Sequence, residues 1–85
     1  MKYTFSDEEY DYEFGVYIDY LERKPYLYIY RTTTNTDGKG YNSSMGWSEP
    51  IKNNEVIWDV GWNHNNVSSS AKDYANRIVA LSAFL

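Results

Sequence analysis

The chain opens with a long stretch in which apolar and polar positions alternate. Between residues 10 and 20 every even position is apolar or aromatic, while the odd positions include Asp11, Glu13 and Asp19. A period of two is typical of a β-strand with one buried and one solvated face, because a helix would distribute these side chains around its circumference. The sequence therefore predicts a strand whose buried side carries Tyr10, Tyr12, Phe14, Val16, Ile18 and Tyr20.

A second strand is predicted over residues 26–34, where β-branched and aromatic residues dominate. It follows a predicted turn at residues 22–25, in which Pro25 fixes its own backbone and biases the preceding residue away from helix. The short connection makes the two strands an antiparallel hairpin. Both faces of the second strand are apolar, with Leu27 and Ile29 on one and Tyr26, Tyr28 and Tyr30 on the other.

Two weaker strands and a helix complete the predicted fold. Asp37-Gly38 is a hairpin signal and leads to a strand over 41–47, and residues 55–62 alternate again, with Trp58 and Trp62 on the side predicted to join the core. From Ala71 the apolar residues fall at helical spacing over about 14 residues. Ser70 with Asp73 resembles a capping box at the helix start.

These elements predict one domain over residues 1–85 of the α+β class. We expect a four-stranded antiparallel meander with one C-terminal α-helix packed on one face. A single helix covers only one face of such a sheet, so the opposite face is solvated, curled or buried against a partner.

Composition narrows the classes of function. The chain has 85 residues, no cysteine and one histidine, which argues against disulfides, thiolate metal cages and a histidine-rich zinc site. No cofactor and no metal site is predicted. Neither a membrane-spanning run nor a signal-peptide pattern is visible, so we expect a cytoplasmic protein with no membrane partner, in the host cell cytoplasm if a phage encodes it.

Enzymatic activity is not predicted. His64 is the sole imidazole and lies among asparagines in a predicted loop, so a nucleophile, base and orienting group are not assembled. The glycines of Asp37-Gly38-Lys39-Gly40 lack the spacing and strand-to-helix context of a phosphate-binding loop. The N-terminal acids are closely spaced in sequence, but they do not predict a divalent metal site. The carboxylates on a strand diverge, and the sequence has no glycine-centred calcium-binding loop.

Aromatic residues and acids are both concentrated. The chain holds 10 Tyr, 3 Trp and 3 Phe, and its net charge is −4. Residues 1–22 contain seven acids and one base, whereas the rest of the chain carries a small excess of bases. An acidic surface repels nucleic acid and membranes and attracts basic proteins. We therefore predict no direct nucleic-acid binding and a basic protein as the partner.

The two features combine into a predicted binding face. Tyrosine with serine, asparagine and glycine is the composition of binder paratopes, and a row of acids from Asp11 to Asp19 would span roughly 27 Å at ~3.4 Å per residue. Such a row is at most half as dense as the phosphates of one DNA strand, which makes it a partial mimic. The predicted partner-binding residues are Asp7, Glu8, Glu9, Asp11, Glu13, Tyr17, Asp19, Tyr26, Tyr28 and Tyr30.

In size, charge placement and composition the chain resembles the small acidic inhibitors that phages encode against host defence nucleases, anti-CRISPR proteins among them. The resemblance implies a non-enzymatic inhibitor, of anti-CRISPR or anti-restriction type, that binds a nuclease or another nucleic-acid-binding protein. Three alternatives stay open. The first is a homo-oligomeric module, such as a homodimer, that buries its own aromatic face. The second is a carbohydrate-binding module in which sugars stack on Trp47, Trp58 or Trp62. The third is a module that binds single-stranded nucleic acid through Arg31, Lys39 and Lys52 beside the tyrosines.

Overall fold

The computed structural model describes residues 2–33, 43–58 and 67–82. Within these ranges each strand pairs antiparallel with the next along the chain, which gives a five-stranded meander followed by a helix. The predicted α+β class, with a C-terminal helix on one face of an antiparallel meander, is confirmed. The elements are β1 (Lys2–Ser6), β2 (Tyr10–Asp19), β3 (Lys24–Thr33), β4 (Ser44–Lys52), β5 (Glu55–Val56) and α1 (Ser69–Ala80).

The predicted number of strands is wrong, because the described residues hold five strands rather than four. The pattern missed β1, whose alternation extends over only five residues before the acidic turn. Of the strand predicted over 55–62, only Glu55–Val56 pairs with β4, and residues 59–66 lie outside the described residues. The predicted Asp37-Gly38 turn also lies outside them.

Both prolines lie inside strands, where the sequence predicts breaks. Pro25 is the second residue of β3, and the turn before it falls at residues 20–23, where Arg23 has a φ of 60°. Pro50 lies within β4, which therefore runs to Lys52 instead of ending near 47. The Pro50 carbonyl accepts a hydrogen bond from the Ile57 N–H. The N–H and C=O groups of one residue point the same way in an antiparallel strand. The N–H that Pro50 lacks would therefore face the short strand β5, and no hydrogen bond between β4 and β3 is lost.

The helix is capped by the first of three consecutive serines and begins at the second. Ser68 is the N-cap, and its Oγ accepts from the Ala71 N–H at 3.1 Å, so the predicted Ser70–Asp73 capping box is wrong. Each serine is a competent cap by itself. The preceding Val67 is buried in the core, which fixes where the chain enters the helix. The helix has 12 residues and ends at Ala80.

The core lies between α1 and one face of the sheet. Tyr12 and Phe14 of β2 are each 1% exposed, as the alternation predicts, and Tyr10 and Trp58 pack partly buried around them. Ile18 and Tyr20 are exposed, contrary to the prediction, because they lie at the β2–β3 turn rather than over the core. The core comprises Tyr12, Phe14, Leu27, Ile29, Ile51, Val56, Val67, Ala71, Ala75, Ile78 and Val79.

The sheet curls around the helix. α1 contacts β1 and β2 at one end of the strand order and β5 at the other. Alanines at the buried helix positions 71 and 75 allow the two layers to approach closely. The face away from α1 is therefore convex, and we call it the open face. In the part of the chain that is described, α1 falls well short of the length and apolarity needed to cross a bilayer.

Candidate partner-binding face

The open face combines acids and tyrosines from two adjacent strands. In the register of β2 with β3, Glu13 lies opposite Tyr30 and Tyr17 lies opposite Tyr26. Directly opposed residues point to the same side of a sheet, so a row from one strand lies beside a row from the next. The structure thus brings together seven of the predicted binding residues: Asp11, Glu13, Tyr17, Asp19, Tyr26, Tyr28 and Tyr30.

The tyrosines of this face lean across the sheet. Tyr30, Tyr28 and Tyr17 are 37%, 41% and 42% exposed. The Tyr17 hydroxyl is 2.9 Å from the Ser48 Oγ on β4, so its side chain crosses β3. Tyr17 also stacks on Tyr26, with ring centroids 5.8 Å apart and planes 21° from parallel. These contacts restrain the rings before any partner arrives.

A glycine makes room for the central tyrosine. The Tyr28 ring lies over Gly46 of β4, where an added Cβ would collide with the Tyr28 hydroxyl and approach its Cζ to 3.1 Å. On the other side Tyr28 lies opposite Gly15 of β2. A glycine in a strand marks a close approach of this kind. Gly15 leaves a shallow groove, which is lined by Lys2, Glu13, Phe14, Gly15 and Tyr28.

A carboxylate holds Tyr26 at the end of the face. The Tyr26 hydroxyl donates a hydrogen bond to Glu22 Oε1. This hydrogen bond raises the pKa of Tyr26 above its ordinary value, because losing the proton would leave two anions in contact. Tyr26 therefore stays a neutral donor at physiological pH.

The acids of the open face already have partners within the chain. Lys2 Nζ lies 3.3 Å from Glu13 Oε1, and Ser6 Oγ donates to Asp11 Oδ1 at 2.7 Å. Asp19 Oδ1 accepts a hydrogen bond from the Leu21 N–H at 3.0 Å. Exposed contacts of this kind contribute about 0–1 kcal/mol. The face is less negative than the N-terminal sequence suggests, and its carboxylates are accessible for exchange with stronger cationic partners.

The other three predicted acids lie outside the open face. Glu8 and Glu9 occupy the exposed β1–β2 turn. Asp7 accepts hydrogen bonds from the Glu9 and Tyr10 N–H groups, at 2.9 Å and 2.8 Å, and from the hydroxyl of core residue Tyr12 at 3.2 Å. The structure therefore gives Asp7 a structural position on the helix side of the sheet, where it closes the turn.

Asp7 belongs to a small polar network that joins the turn to the helix. The Tyr12 hydroxyl accepts from the Ser68 N–H at 3.3 Å. Burial alone would raise the pKa of Asp7, but hydrogen bonds from Ser68, Tyr10, Glu9 and Tyr12 outweigh it and hold the pKa below its usual value. Burial raises the pKa of Tyr12, and the nearby Asp7 charge adds to this. The network keeps Asp7 ionised and Tyr12 protonated.

Of the residues invoked for the alternative ligands, Arg31, Trp47 and Trp58 lie on the helix side of the sheet, whereas Lys52 is exposed at the end of β4. The Arg31 guanidinium lies over the rings of Tyr10 and Trp47, 4.4 Å and 5.6 Å from their centroids. Trp47 and Trp58 pack against the core. Arg31 and Trp47 thus point away from the tyrosines that they accompany in sequence, while Lys39 and Trp62 lie outside the described residues.

The described residues do not group potential metal ligands. Across residues 2–33, 43–58 and 67–82, no three His, Cys, Asp or Glu side chains are grouped to hold a metal ion. His64 is outside these ranges. What the open face offers is contact area, hydroxyl groups and carboxylates on a restrained surface.

Sequence reasoning missed the residues that shape this face. Lys2, Gly46 and Ser48 contact Glu13, Tyr28 and Tyr17, respectively. A glycine and a serine in an aromatic-rich sheet were the signal available, since small residues leave room for a neighbouring ring. The residues that they contact can be identified only when the strand register is known.

The comparisons with known proteins give no relative for this chain. No protein-family model matches it, and neither a curated protein nor a solved structure is significantly similar to it.

Proposed function

We propose that the open face binds a basic protein and that the chain acts as a non-enzymatic inhibitor of a nucleic-acid-handling protein such as a nuclease. The observation that carries the proposal is the in-register placement of a carboxylate row on β2 beside a tyrosine row on β3. Tyrosines supply large, rigid contact area at low entropic cost, and the carboxylates supply attraction and orientation.

A recognition site for a cationic side chain lies within this face. Asp11 and Glu13 line a shallow groove together with Tyr30 and Thr32. An arginine of the partner placed there would pair with the carboxylates and stack on the Tyr30 ring, two interactions that suit a guanidinium. It would displace Lys2 from an exposed, weakly bound ion pair with Glu13.

The spacing of the acids supports partial mimicry of nucleic acid. Acids two residues apart on β2 lie about 6.8 Å apart, twice the axial phosphate spacing of one DNA strand. The molecule is elongated, 43 Å by 23 Å by 22 Å, which suits a long binding cleft. Since Lys2 and Lys24 accompany the acids, tyrosine contacts supply much of the binding and charge supplies steering.

A protein partner suits this face better than a single-stranded nucleic acid does. Binding a nucleic-acid backbone depends on a basic groove, whereas Arg31 is held on the helix side. A carbohydrate platform built on tryptophan is disfavoured for a similar reason, since Trp47 and Trp58 pack against the core.

The proposal is tested by DNA-cleavage assays on a panel of purified RNA-guided and restriction nucleases. We expect at least one enzyme to be inhibited, with inhibition weakening as salt rises. The double variant Asp11→Lys/Glu13→Lys should lose at least about tenfold in potency, chiefly through slower association. Its matched control is Glu8→Lys/Glu9→Lys, which changes net charge equally at the turn and should lose much less.

Two results would contradict the proposal. Equal loss in the two double variants would show that only overall charge matters, and no inhibition of any enzyme in the panel would argue against a nuclease target. Circular dichroism of each variant confirms that it is folded.

A further inference from the structure

The outer edge of β1 is an unpaired strand edge. β1 is the first strand in the order β1-β2-β3-β4-β5, so among the described residues it pairs on one side only. Its residues include no proline, and its lysine faces inward across the sheet to Glu13. Proteins usually protect such an edge with prolines, bulges or charges that discourage another strand. β1 has none of these along its centre.

The hairpin geometry shows which backbone groups face outward. The Asp7 N–H donates to the Tyr10 carbonyl, so residues 7 and 10 form a hydrogen-bonded pair. Hydrogen-bonded and non-hydrogen-bonded pairs alternate along an antiparallel ladder. Tyr3 and Phe5 therefore direct their N–H and C=O groups to β2, and Lys2, Thr4 and Ser6 direct theirs to the free edge.

The outward groups are complementary to a second copy of the same strand. When two β1 strands run antiparallel with Thr4 opposite Thr4, Lys2 of each chain lies opposite Ser6 of the other. All three outward residues then fall in hydrogen-bonded pairs, which gives six hydrogen bonds, two for each pair, across the junction. Shifting the two strands by two or more residues still pairs outward residues with each other, but it leaves at least one of the three unpaired in each chain.

The side chains agree with this register on both faces. On the open face Lys2 of one chain would lie beside Ser6 of the other, whose Oγ contacts the Asp11 carboxylate at 2.7 Å, so opposite charges meet across the junction. On the helix side Tyr3 lies opposite Phe5, an aromatic cross-strand pair of the kind that stabilises sheets. Within the two paired β1 strands no like charges face each other.

A groove beside this edge would receive the second copy. It is lined by Tyr3, Tyr74, Arg77, Ile78 and Leu81, and Leu81 is 85% exposed. Phe5 already packs on Tyr74, with ring centroids 5.1 Å apart. A neighbouring chain's aromatic residues would extend this cluster along the groove and cover apolar surface that is open in the single chain.

We propose that two chains associate through antiparallel β1–β1 pairing into a continuous ten-stranded sheet. The local twofold axis of an antiparallel pair is perpendicular to the sheet, so both open faces lie on the same side and remain uncovered. The partner is a second copy of this chain, and the pairing does not depend on the proposed function of the open face. It differs from a dimer that buries its tyrosines.

Sedimentation of the full chain at concentrations from about 1 to 500 µM tests the pairing. This range covers the micromolar dissociation constants expected of a small protein–protein interface. We expect a monomer–dimer equilibrium. Thr4→Pro should weaken the dimer at least tenfold, because it removes an outward N–H and leaves the bonds to β2 intact. Thr4→Val keeps the N–H and should dimerise as the unmodified chain does.

A charge variant covers the case in which Thr4→Pro fails to fold. Ser6→Lys would place a lysine opposite Lys2 of the second copy and should weaken the dimer, while Asp11 pairs with it inside each chain. Ser44→Lys adds the same charge to the exposed start of β4 and serves as its control. A monomer at every concentration, or a dimer unaffected by Ser6→Lys, would overturn the proposal.

Discussion

At the scale of single residues, the local environment gives chemically similar side chains different roles. Asp7 and Asp11 are both N-terminal acids, yet Asp7 closes a turn and bonds the core residue Tyr12, whereas Asp11 lies on the open face. Alternation predicts the face of Asp11 from the sequence. The role of Asp7 depends on Tyr12 and Ser68, which are distant in the chain, so charge counting alone assigned it to binding.

The Asp7 network predicts a pH-dependent contribution to stability. The pKa of Asp7 is lowered on folding, so its stabilisation is fully present above the unfolded pKa of about 3.9 and is lost as pH falls through the folded value. Asp7→Asn should reduce the free energy of unfolding by about 1.5–3 kcal/mol at pH 7, the range for hydrogen bonds to a charged group. The difference from the unmodified chain should shrink toward pH 2.

Urea denaturation at pH 7, 4 and 2 measures the loss of unfolding free energy in Asp7→Asn and its dependence on pH. Glu8→Gln neutralises the neighbouring, exposed acid and is the control, expected to change stability little at any pH. An Asp7→Asn variant as stable as the unmodified chain at pH 7 would show that the network contributes nothing.

At the scale of the elements, the sequence predicts strands best where one face is buried and one is not. The alternation of residues 10–20 predicts β2 to within one residue and the burial of Tyr12 and Phe14, although Ile18 near the turn is exposed. The same reasoning misplaces β4, because Pro50 is tolerated there only through its orientation toward β5. It also misses β1, whose five residues acquire their place from pairing with β2. Strand pairing is a long-range property, and local periodicity does not encode it.

β4 provides a test of how the tyrosine row is supported. Gly46→Ala would put a Cβ against the Tyr28 ring, and we expect a loss of about 1 kcal/mol, at the lower end for overpacking, because the ring can shift outward. In a Tyr28→Ala background the same change should cost almost nothing or stabilise the strand. Urea denaturation of the four proteins gives the coupling energy between the two positions.

A coupling energy near zero would mean that Tyr28 does not rest on Gly46. A clear coupling, together with weaker inhibition by Gly46→Ala, would link the flat placement of Tyr28 to binding.

At the scale of the whole molecule, one short helix and a curled sheet divide the aromatic residues into two groups. One group packs with Tyr12 and Phe14 around the helix, and the other lies on the convex side with Tyr28 and Tyr30. The sequence predicts that such a division exists, since a single helix covers one face of a sheet. It does not predict how the exposed tyrosines lean or which acids are already paired, because both depend on contacts with β1 and β4.

Binding at the open face is measured most directly by using these two groups of tyrosines as reporters. The chain is labelled with ¹³C-tyrosine and titrated with the proposed partner, the nuclease for which the cleavage assays give the strongest inhibition, and the aromatic NMR signals are followed. We expect the signals of Tyr17, Tyr26, Tyr28 and Tyr30 to shift or broaden on binding, while those of Tyr3 and Tyr74 on the helix side stay unchanged. Changes confined to Tyr3 and Tyr74, with the open-face signals unmoved, would contradict the account.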